Sequence, residues 1–375
     1  MDHLYRRFFD ALPIRDARSD QDLHLLSPSE FRLVVRTERW AQAASVIIEL
    51  AAYLVIFAPI YAFPNFFEAG AILLGGPFVS LREPLEWARN GWMLLVTLVE
   101  LYVLLLLNLA SVHGIAVAIG FIGQGNKSAQ TTHLIRIALE RRFEEQQAYG
   151  INPLEGMTPW LIYILLLFNR FKGMIGSVII RAALVNLFGR DILRVYLDFS
   201  GMPLYMAINV LTTRAILHNA RVIIMGQTAI ELLHRQLPPL NLNAWECDLI
   251  YDTLQFIAVS KRDFHANHYY LARAFIEHFS IPVESRHGLP LDYLDKLKRA
   301  RKPVADLCRL VIVTGFLLDG RLSGREYRQL ARLREKGLLD VTPKELNTYA
   351  KNFVDGQGLS DIMGRYLRPK PPTEL

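Results

Sequence analysis

Two long apolar runs constrain this chain more than any other feature of its sequence. The first, 40–63, contains Glu49 as its only Asp, Glu, Lys or Arg residue, and the second, 91–121, contains only Glu100. Each run exceeds the roughly 20 residues that an α-helix needs to cross about 30 Å of hydrocarbon. The sequence therefore predicts a transmembrane helical hairpin over 40–121.

Basic residues lie on both outer sides of this hairpin. Three arginines fall between positions 32 and 39 and four basic residues between 127 and 142, whereas the loop 64–90 carries two arginines against three glutamates. Because segments rich in Lys and Arg stay on the cytoplasmic side of a membrane, we expect the loop to be external and both termini to be cytoplasmic. This topology favours a bacterial inner (cytoplasmic) membrane.

The overall composition agrees with a membrane protein and excludes several other classes. Mean hydropathy is +0.20 and 52% of the residues are hydrophobic, which is too apolar for a disordered chain. The two cysteines, Cys247 and Cys308, are too few for a disulfide scaffold, and we expect them to be reduced.

A third apolar zone, 158–226, differs from the hairpin because basic residues interrupt it. It holds seven Lys and Arg residues against two Asp, so most of the chain's net charge of +6 lies here. One interpretation is interfacial or re-entrant helices whose basic side chains reach lipid phosphates. The alternative is one or two further spans, at 160–180 and 202–217, with arginines buried in a bundle.

Basic side chains in this zone are spaced as on helix faces. Arg214, His218 and Arg221 recur at intervals of four and three residues, and Arg190 and Arg194 are four residues apart. A line of guanidinium groups favours the binding of phosphate. We therefore predict that these five residues contact anionic lipid head groups, with general snorkelling toward lipid as the alternative.

Four polar side chains lie inside the predicted hairpin, namely Glu49, Glu100, Asn108 and His113. A charge in hydrocarbon costs roughly 2.5–3.5 kcal/mol, so ionisable residues in a membrane span usually have a specific purpose. One interpretation is a proton or ion pathway. The other is a set of hydrogen bonds that hold the hairpin or a homo-oligomer together.

The rest of the chain is predicted to be cytoplasmic and helical. It comprises an N-terminal segment 1–39, a connecting helix 122–157, a domain 243–366 and a disordered tail 367–375. No alternating strand pattern appears, whereas four capping boxes mark helix starts, and we therefore predict an all-α integral membrane protein. The boxes begin at Ser27, Asn243, Ser323 and Thr342.

The run 307–333 consists of an apolar helix, Asp-Gly, two residues, Ser, two residues, Glu and a second amphipathic helix. This pattern resembles the D-G-x-x-S-x-x-E helix-turn-helix of tellurite-resistance TerB-like domains. The resemblance implies an all-helical module, often coupled to membrane or stress proteins, whose acidic residues are proposed to bind metal. Carried over, those residues are Asp319 and Glu326. Alternatively, Gly320 makes the turn while Ser323 and Glu326 form a capping box.

A second set of residues lies in the apolar basic zone and comprises Gly189, Arg190, Met202, Pro203, Asn209, Thr213, Arg214, Ala220, Arg221 and Gly226. Their pattern resembles that of an uncharacterised family of bacterial membrane proteins. The resemblance implies placement in a membrane and no particular activity.

The C-terminal half also contains a weak internal duplication. When the sequence is aligned with itself at one constant shift, Asp248 falls on Asp306, Leu249 on Leu307, Lys261 on Asp319, Phe264 on Leu322, His268 on Glu326 and Tyr269 on Tyr327. The matches are few, so a duplicated helical hairpin and a chance alignment are both open.

These observations favour a protein without catalysis or a cofactor. The sequence contains no Ser/His/Asp ordering, pair of catalytic carboxylates, glycine-rich nucleotide loop or complete metal-ligand set. The leading hypothesis is a non-enzymatic scaffold or stress-response protein in the lipid bilayer, which presents its helical module to a membrane partner protein or to a second copy. The alternatives are an oligomeric channel or transporter and an anionic-lipid-binding protein; nucleic acid is not an expected partner.

Overall fold

The computed structural model describes the greater part of the chain, and the structural statements below refer to that part. It consists of residues 26–68, 71–72, 85–121, 192–262, 265–283 and 287–367, with single residues at 149, 151 and 160. The predicted connecting helix 122–157 and tail 367–375 lie almost wholly outside these residues, as does the first half of the apolar basic zone.

Helices make up nearly all of the described secondary structure. Two short strands pair antiparallel, with Ala71 opposite Glu86, and the all-α prediction is otherwise confirmed. The helices are α1 (Pro28–Ala62), α2 (Pro64–Glu68), α3 (Trp87–Ile119), α4 (Ile192–Gln236), α5 (Ala244–Lys261), α6 (Ala266–Phe279), α7 (Tyr293–Arg299), α8 (Lys302–Leu317), α9 (Gly324–Glu335), α10 (Pro343–Val354) and α11 (Ser360–Tyr366), and the strands are β1 (Ala71–Ile72) and β2 (Leu85–Glu86).

The chain divides into two compact units. The first unit comprises residues 1–12, 35–113 and 163–217, and the second comprises 13–34, 114–162 and 218–375. Helix α4 is continuous through the division at 217/218, so the predicted zone boundary at residue 226 falls inside a helix. Helices α1 and α3 cross the division as well, at 34/35 and 113/114, so three helices contribute to both units.

The first unit contains most of two helices that are long and apolar enough, by length and composition, to cross a membrane. They are Pro28–Ala62 and Gly91–Ile119, with mean hydropathies of 2.1 and 2.3. Only 28% of each apolar window is buried inside the protein, which leaves apolar surface suited to contact with lipid. Large exposed side chains on these helices include Ile47, Leu54, Leu94, Leu95, Leu98 and Val99.

A proline inside α1 creates a contact between the two apolar helices. Pro59 has no N–H to donate to the carbonyl of Val55, one turn earlier. The indole nitrogen of Trp92 on α3 donates to that carbonyl oxygen instead, at 3.1 Å. Beside it lies an apolar groove of about 650 Å³ that Phe66 and Gly91 help to line. The indole thus satisfies a carbonyl that the proline leaves free and joins the hairpin near one end.

The second unit is built around two similar helical hairpins, α5–α6 and α8–α9. Their first helices begin at Ala244 and Lys302, and their second helices begin at Ala266 and Gly324. Both pairs are offset by the same 58 residues that separate Lys261 from Asp319. A residue with a left-handed backbone conformation follows each first helix, and these two residues, Arg262 and Gly320, are separated by the same offset. The structure therefore shows two helical hairpins with the same offset, which favours a duplicated hairpin over a chance alignment.

The two hairpins meet at equivalent positions of their first helices. Helices α5 and α8 pack against each other more extensively than any other described pair. Gly315 on α8 is the counterpart of Ile257 on α5, and a Cβ added to Gly315 would lie 2.5 Å from the Ile257 side chain. Equivalent residues of the two first helices therefore lie against each other.

The four predicted capping boxes are all present. In each box the first residue's side chain accepts from the backbone N–H of a glutamate three residues later, and that glutamate's carboxylate accepts from the first residue's own N–H. A fifth box uses His265 and His268 at the start of α6. Local sequence therefore decides where these helices begin.

A buried asparagine joins three parts of the second unit. The side-chain nitrogen of Asn267 donates to the carbonyl oxygens of Val222, at 2.9 Å, and Leu318, at 2.7 Å. It lies against Gly226, where an added Cβ would be 2.0 Å from that nitrogen. The missing side chain at Gly226 therefore allows α4 to approach the start of α6 this closely.

We expect Gly226→Ala to destabilise the second unit by about 2–3 kcal/mol, because the added methyl group displaces Asn267 from two buried carbonyl groups. Thermal unfolding of the full-length protein in detergent, followed by circular dichroism, measures the change. The matched control is Gly324→Ala, where nothing lies within 4 Å of the added Cβ. Equal unfolding temperatures for the two variants would contradict the role assigned to Asn267.

Candidate functional site

Three polar side chains from three helices meet within the apolar first unit. Glu49 on α1 and Glu100 on α3 are 2% and 4% exposed. Both accept a hydrogen bond from the side-chain nitrogen of Asn209 on α4, at 3.3 Å in the case of Glu100 Oε1. One amide therefore holds two carboxyl groups from different helices side by side. These three residues are the carboxylate cluster.

Two carboxyl groups held this closely interact strongly. If both were ionised, their charges would repel each other in surroundings that exclude most water. A proton or a cation bound to the pair relieves that repulsion, whereas the amide of Asn209 contributes only a partial positive charge. The carboxylate cluster is thus suited to bind a proton or a cation, and its hydrogen bonds are equally suited to join the three helices.

The other two polar residues predicted for the hairpin, Asn108 and His113, are buried at 7% and 5% exposure. Both are on α3, eight and thirteen residues after Glu100, which is roughly 12 and 20 Å along the helix axis. The Oδ1 atom of Asn108 has no hydrogen-bond donor among the described residues. The cluster therefore includes two of the four predicted residues and adds an asparagine from a distant part of the chain.

The basic residue Arg221 is held inside the second unit. It is 5% exposed, its guanidinium lies 3.5 Å from Asp355 Oδ1, and it stacks 5.1 Å from the ring centre of Phe31. A buried guanidinium with a carboxylate and an aromatic ring around it has a structural explanation that does not involve lipid phosphate.

The five residues predicted to bind anionic lipid fall into different surroundings. Arg190 lies outside the described residues, and Arg194 lies in the first turn of α4. Arg214 is exposed and belongs to the first unit, whereas His218 is half-buried and belongs, with Arg221, to the second. Arg194, Arg214, His218 and Arg221 do lie on one helix, but the division between the units falls between Arg214 and His218.

The two acidic residues of the Asp-Gly turn bind a cation that the chain itself supplies. The nitrogen of Lys261, whose side chain is 1% exposed, lies 2.7 Å from Asp319 Oδ2 and 3.3 Å from Glu326 Oε2. Glu326 Oε2 also accepts the backbone N–H of Ser323, at 2.9 Å. These contacts explain both carboxylates without a metal ion. Among the described residues, no group of three or more metal-binding side chains is present.

A histidine occupies the equivalent of Glu326 in the first hairpin. The Nδ1 atom of His268 accepts the backbone N–H of His265 at 3.0 Å, so the proton of the neutral ring is on Nε2, which donates to Gly315 O at 2.7 Å. Burial lowers the pKa of His268 to about 3, and the positive charge of Lys261 acts in the same direction. The ring is therefore neutral at physiological pH, with both nitrogen atoms already used.

Another buried polar cluster lies around α5 and α8. The carboxylate of Asp252 is 2.8 Å from His287 Nε2 and 3.5 Å from the ammonium of Lys296. Burial raises the pKa of the nearby Cys308 thiol to about 12. Because a thiol with that pKa is protonated at neutral pH, Cys308 packs as an apolar residue and is not an activated nucleophile.

The side chains that organise these clusters carry only a weak signal in the sequence. Asn209 is a polar residue in an apolar run, Lys261 ends an apolar helix, and Asn267 begins one. Their partners are 45 to 160 positions away along the chain. No local pattern identifies such partners, because distant segments come together only in the folded protein.

We expect Lys261→Met to lower the free energy of unfolding by about 3 kcal/mol, because it leaves two largely buried carboxylates without their cation. Denaturant unfolding of the full-length protein in detergent measures this loss. The control is Arg273→Met, which breaks an ion pair with Glu277 in which both side chains are 53% exposed, and costs less than about 1 kcal/mol.

The same measurement tests metal binding at Asp319 and Glu326. Added Mg²⁺, Ca²⁺ or Zn²⁺ is expected to leave the unfolding of the wild-type protein unchanged, because the lysine already occupies the space between the carboxylates. A rise in wild-type stability that Asp319→Asn abolishes would support the metal instead.

Comparison with known proteins does not identify a family. No family model matches the chain, and no curated protein or solved structure is significantly similar to it. The resemblances carried by the sequence stay predictions, and function has to be inferred from the geometry of the two units.

Proposed function

We propose that this protein is a non-enzymatic scaffold of a bacterial inner membrane, which presents a helical interaction module at the cytoplasmic face. The observation that carries the proposal is the combination of an apolar unit, with two helices suited to span a membrane, and a second unit of well-packed helices in the same chain. Helix α4 belongs to both units, so the connection between them is helical. A helical connection supports a structural role.

The buried polar groups of the second unit support a scaffold more than an enzyme. The side chains of Lys261, Asn267 and His268 all bind other groups of the same unit. Bonds of this kind fix the packing of helices. Catalysis requires instead that a reactive group be directed at a substrate.

Exposed apolar side chains on the second unit offer contact points for a partner protein or a second copy. Leu291 is fully exposed, and Trp245, Val283 and Tyr327 are 40–45% exposed. Large apolar and aromatic residues are enriched in the centres of protein interfaces. The TerB-like resemblance of 307–333, whose family is often coupled to membrane or stress proteins, agrees with such a role.

A photo-crosslinking residue at Leu291 tests the scaffold. In membranes washed at alkaline pH to remove peripheral proteins, we expect the full-length protein to stay in the membrane and to form one defined crosslinked species, with a partner or a second copy. The control position is Lys344, which is exposed and charged. Release of the protein by the wash, or no crosslink from either Leu291 or Trp245, would contradict the proposal.

A second function is favoured by the carboxylate cluster. Two buried carboxyl groups that share one amide donor form a pair able to take up a proton or a cation. An oligomeric channel or transporter would use such a pair as an intermediate binding site. The competing explanation is assembly, in which the same hydrogen bonds only hold three helices together.

Glu100→Gln separates transport from assembly, because glutamine keeps the hydrogen-bonding capacity and removes the ionisable group. If the cluster is a transport site, proteoliposomes of the wild-type protein dissipate a proton or Na⁺ gradient, and the variant does so at least about tenfold more slowly with unchanged thermal stability. Glu231→Gln, an exposed carboxylate of the second unit, is the control. Wild-type flux equal to that of protein-free vesicles between pH 5.5 and 8.5 would rule transport out.

A further inference from the structure

Helix α9 carries a line of positive charge on its exposed face. Arg325, Arg328 and Arg332 are spaced three and four residues apart, Lys336 follows four residues later, and all four side chains are exposed. They extend over roughly 16 Å of helix. The apolar residues of α9 lie on the buried side. These four basic residues are the basic stripe.

The stripe is not neutralised by acidic side chains in the described part of the protein. None of its members forms an ion pair there, although ion pairs are common elsewhere in the second unit. Of the helix's own carboxylates, Glu326 is buried against Lys261, and Glu335 is exposed three residues after Arg332 but forms no ion pair with it. The positive charge of the stripe is therefore available to a partner.

Helix stability explains only the C-terminal part of the stripe, because the helix dipole favours positive side chains such as Arg332 in the last turn. Like charges three and four residues apart repel each other along a helix surface. Arg325 stands in the first turn, where the helix dipole favours negative side chains instead. The repulsion is relieved when an anionic surface covers this face.

The duplicated hairpin provides an internal comparison. Helix α6 is the counterpart of α9 in the first hairpin. At the four positions equivalent to the basic stripe, the first hairpin has Asn267, Tyr270, Ala274 and His278. The hairpin fold therefore forms without Lys or Arg at these positions, and the stripe is specific to the second copy.

We propose that the basic stripe docks the second unit on the anionic head groups of the bilayer. Arginines on one helix face complement a layer of lipid phosphates. The chain is joined by α4 to the helices suited to span the membrane, so a bilayer surface is always at high effective concentration. This inference rests on the membrane placement in the proposed function.

A fluorophore attached through Glu335→Cys, an exposed position on the same helix face as the basic stripe, with Cys247 replaced by Ser, reports on the docking. Cys308 is fully buried and does not compete for the label. The full-length protein is reconstituted in nanodiscs of phosphatidylcholine, alone or mixed with phosphatidylglycerol, each containing lipids brominated near the head group. We expect quenching to be several-fold stronger in the anionic nanodiscs and to disappear in about 0.5 M NaCl, because salt screens the attraction.

Variants separate the stripe from general positive charge. Arg325→Asn, Arg328→Gln and Arg332→Ala are each expected to weaken the anionic-lipid response, by roughly fivefold for each arginine removed. The control, Lys344→Ser with Lys351→Ser, removes two exposed lysines of α10 and is expected to leave the response unchanged. Circular dichroism checks that each variant is folded.

Two results would overturn the proposal. One is equal quenching in neutral and anionic nanodiscs. The other is a fluorescence response, in neutral nanodiscs, to a single-stranded oligonucleotide or to polyglutamate, with no response to anionic lipid. That outcome would assign the stripe to a different class of partner. If either result is obtained while the protein stays in alkaline-washed membranes, the proposed docking is rejected and the proposed scaffold function is not affected. Failure to remain in washed membranes refutes the scaffold itself.

Discussion

A polar group buried among apolar side chains has to find its partner inside the protein, and each unit of this protein is organised around one such group. In the first unit the amide of Asn209 lies between Glu49 and Glu100 and joins three helices. In the second unit the ammonium of Lys261 lies between Asp319 and Glu326 and joins the two hairpins. Because an unpartnered buried charge costs several kcal/mol, these contacts fix which helices are neighbours and in what register.

The Lys261 contact also explains how two copies of one hairpin came to differ. Lys261 and Asp319 occupy equivalent positions, yet they bind each other across the contact between the copies. A symmetric backbone arrangement would bring like residues together, and two lysines or two aspartates there would repel. Opposite charges at equivalent positions turn that repulsion into an ion pair, while Glu326 and His268 serve as the matching helix caps on either side. The basic stripe is a second difference between the copies.

Local patterns predicted some features of the fold well, whereas the lipid contacts predicted from helical spacing stay a prediction. The capping boxes are confirmed because their residues are only three positions apart, and the backbone there depends on little else. Arg214 and Arg221 do share a helix face, but α4 passes from one unit to the other between them. One residue is exposed and the other is paired with Asp355. A helical pattern predicts which residues share a helix face, but it does not predict which groups surround them in the folded protein.

The sequence by itself determined the helical class, the two apolar segments long enough to cross a membrane and the helix starts, because each depends on residues that are close together along the chain. The internal repeat was only one of two interpretations of the sequence. Only the tertiary structure decided that Glu49 and Glu100 meet at Asn209 and that Lys261 fills the space between Asp319 and Glu326. It also decided that the arginines of α9 are exposed without an ion pair among the described residues. These outcomes depend on the packing of segments that are distant in sequence. Those segments decide which side chains are buried and which charges are paired, and a local sequence pattern does not identify them.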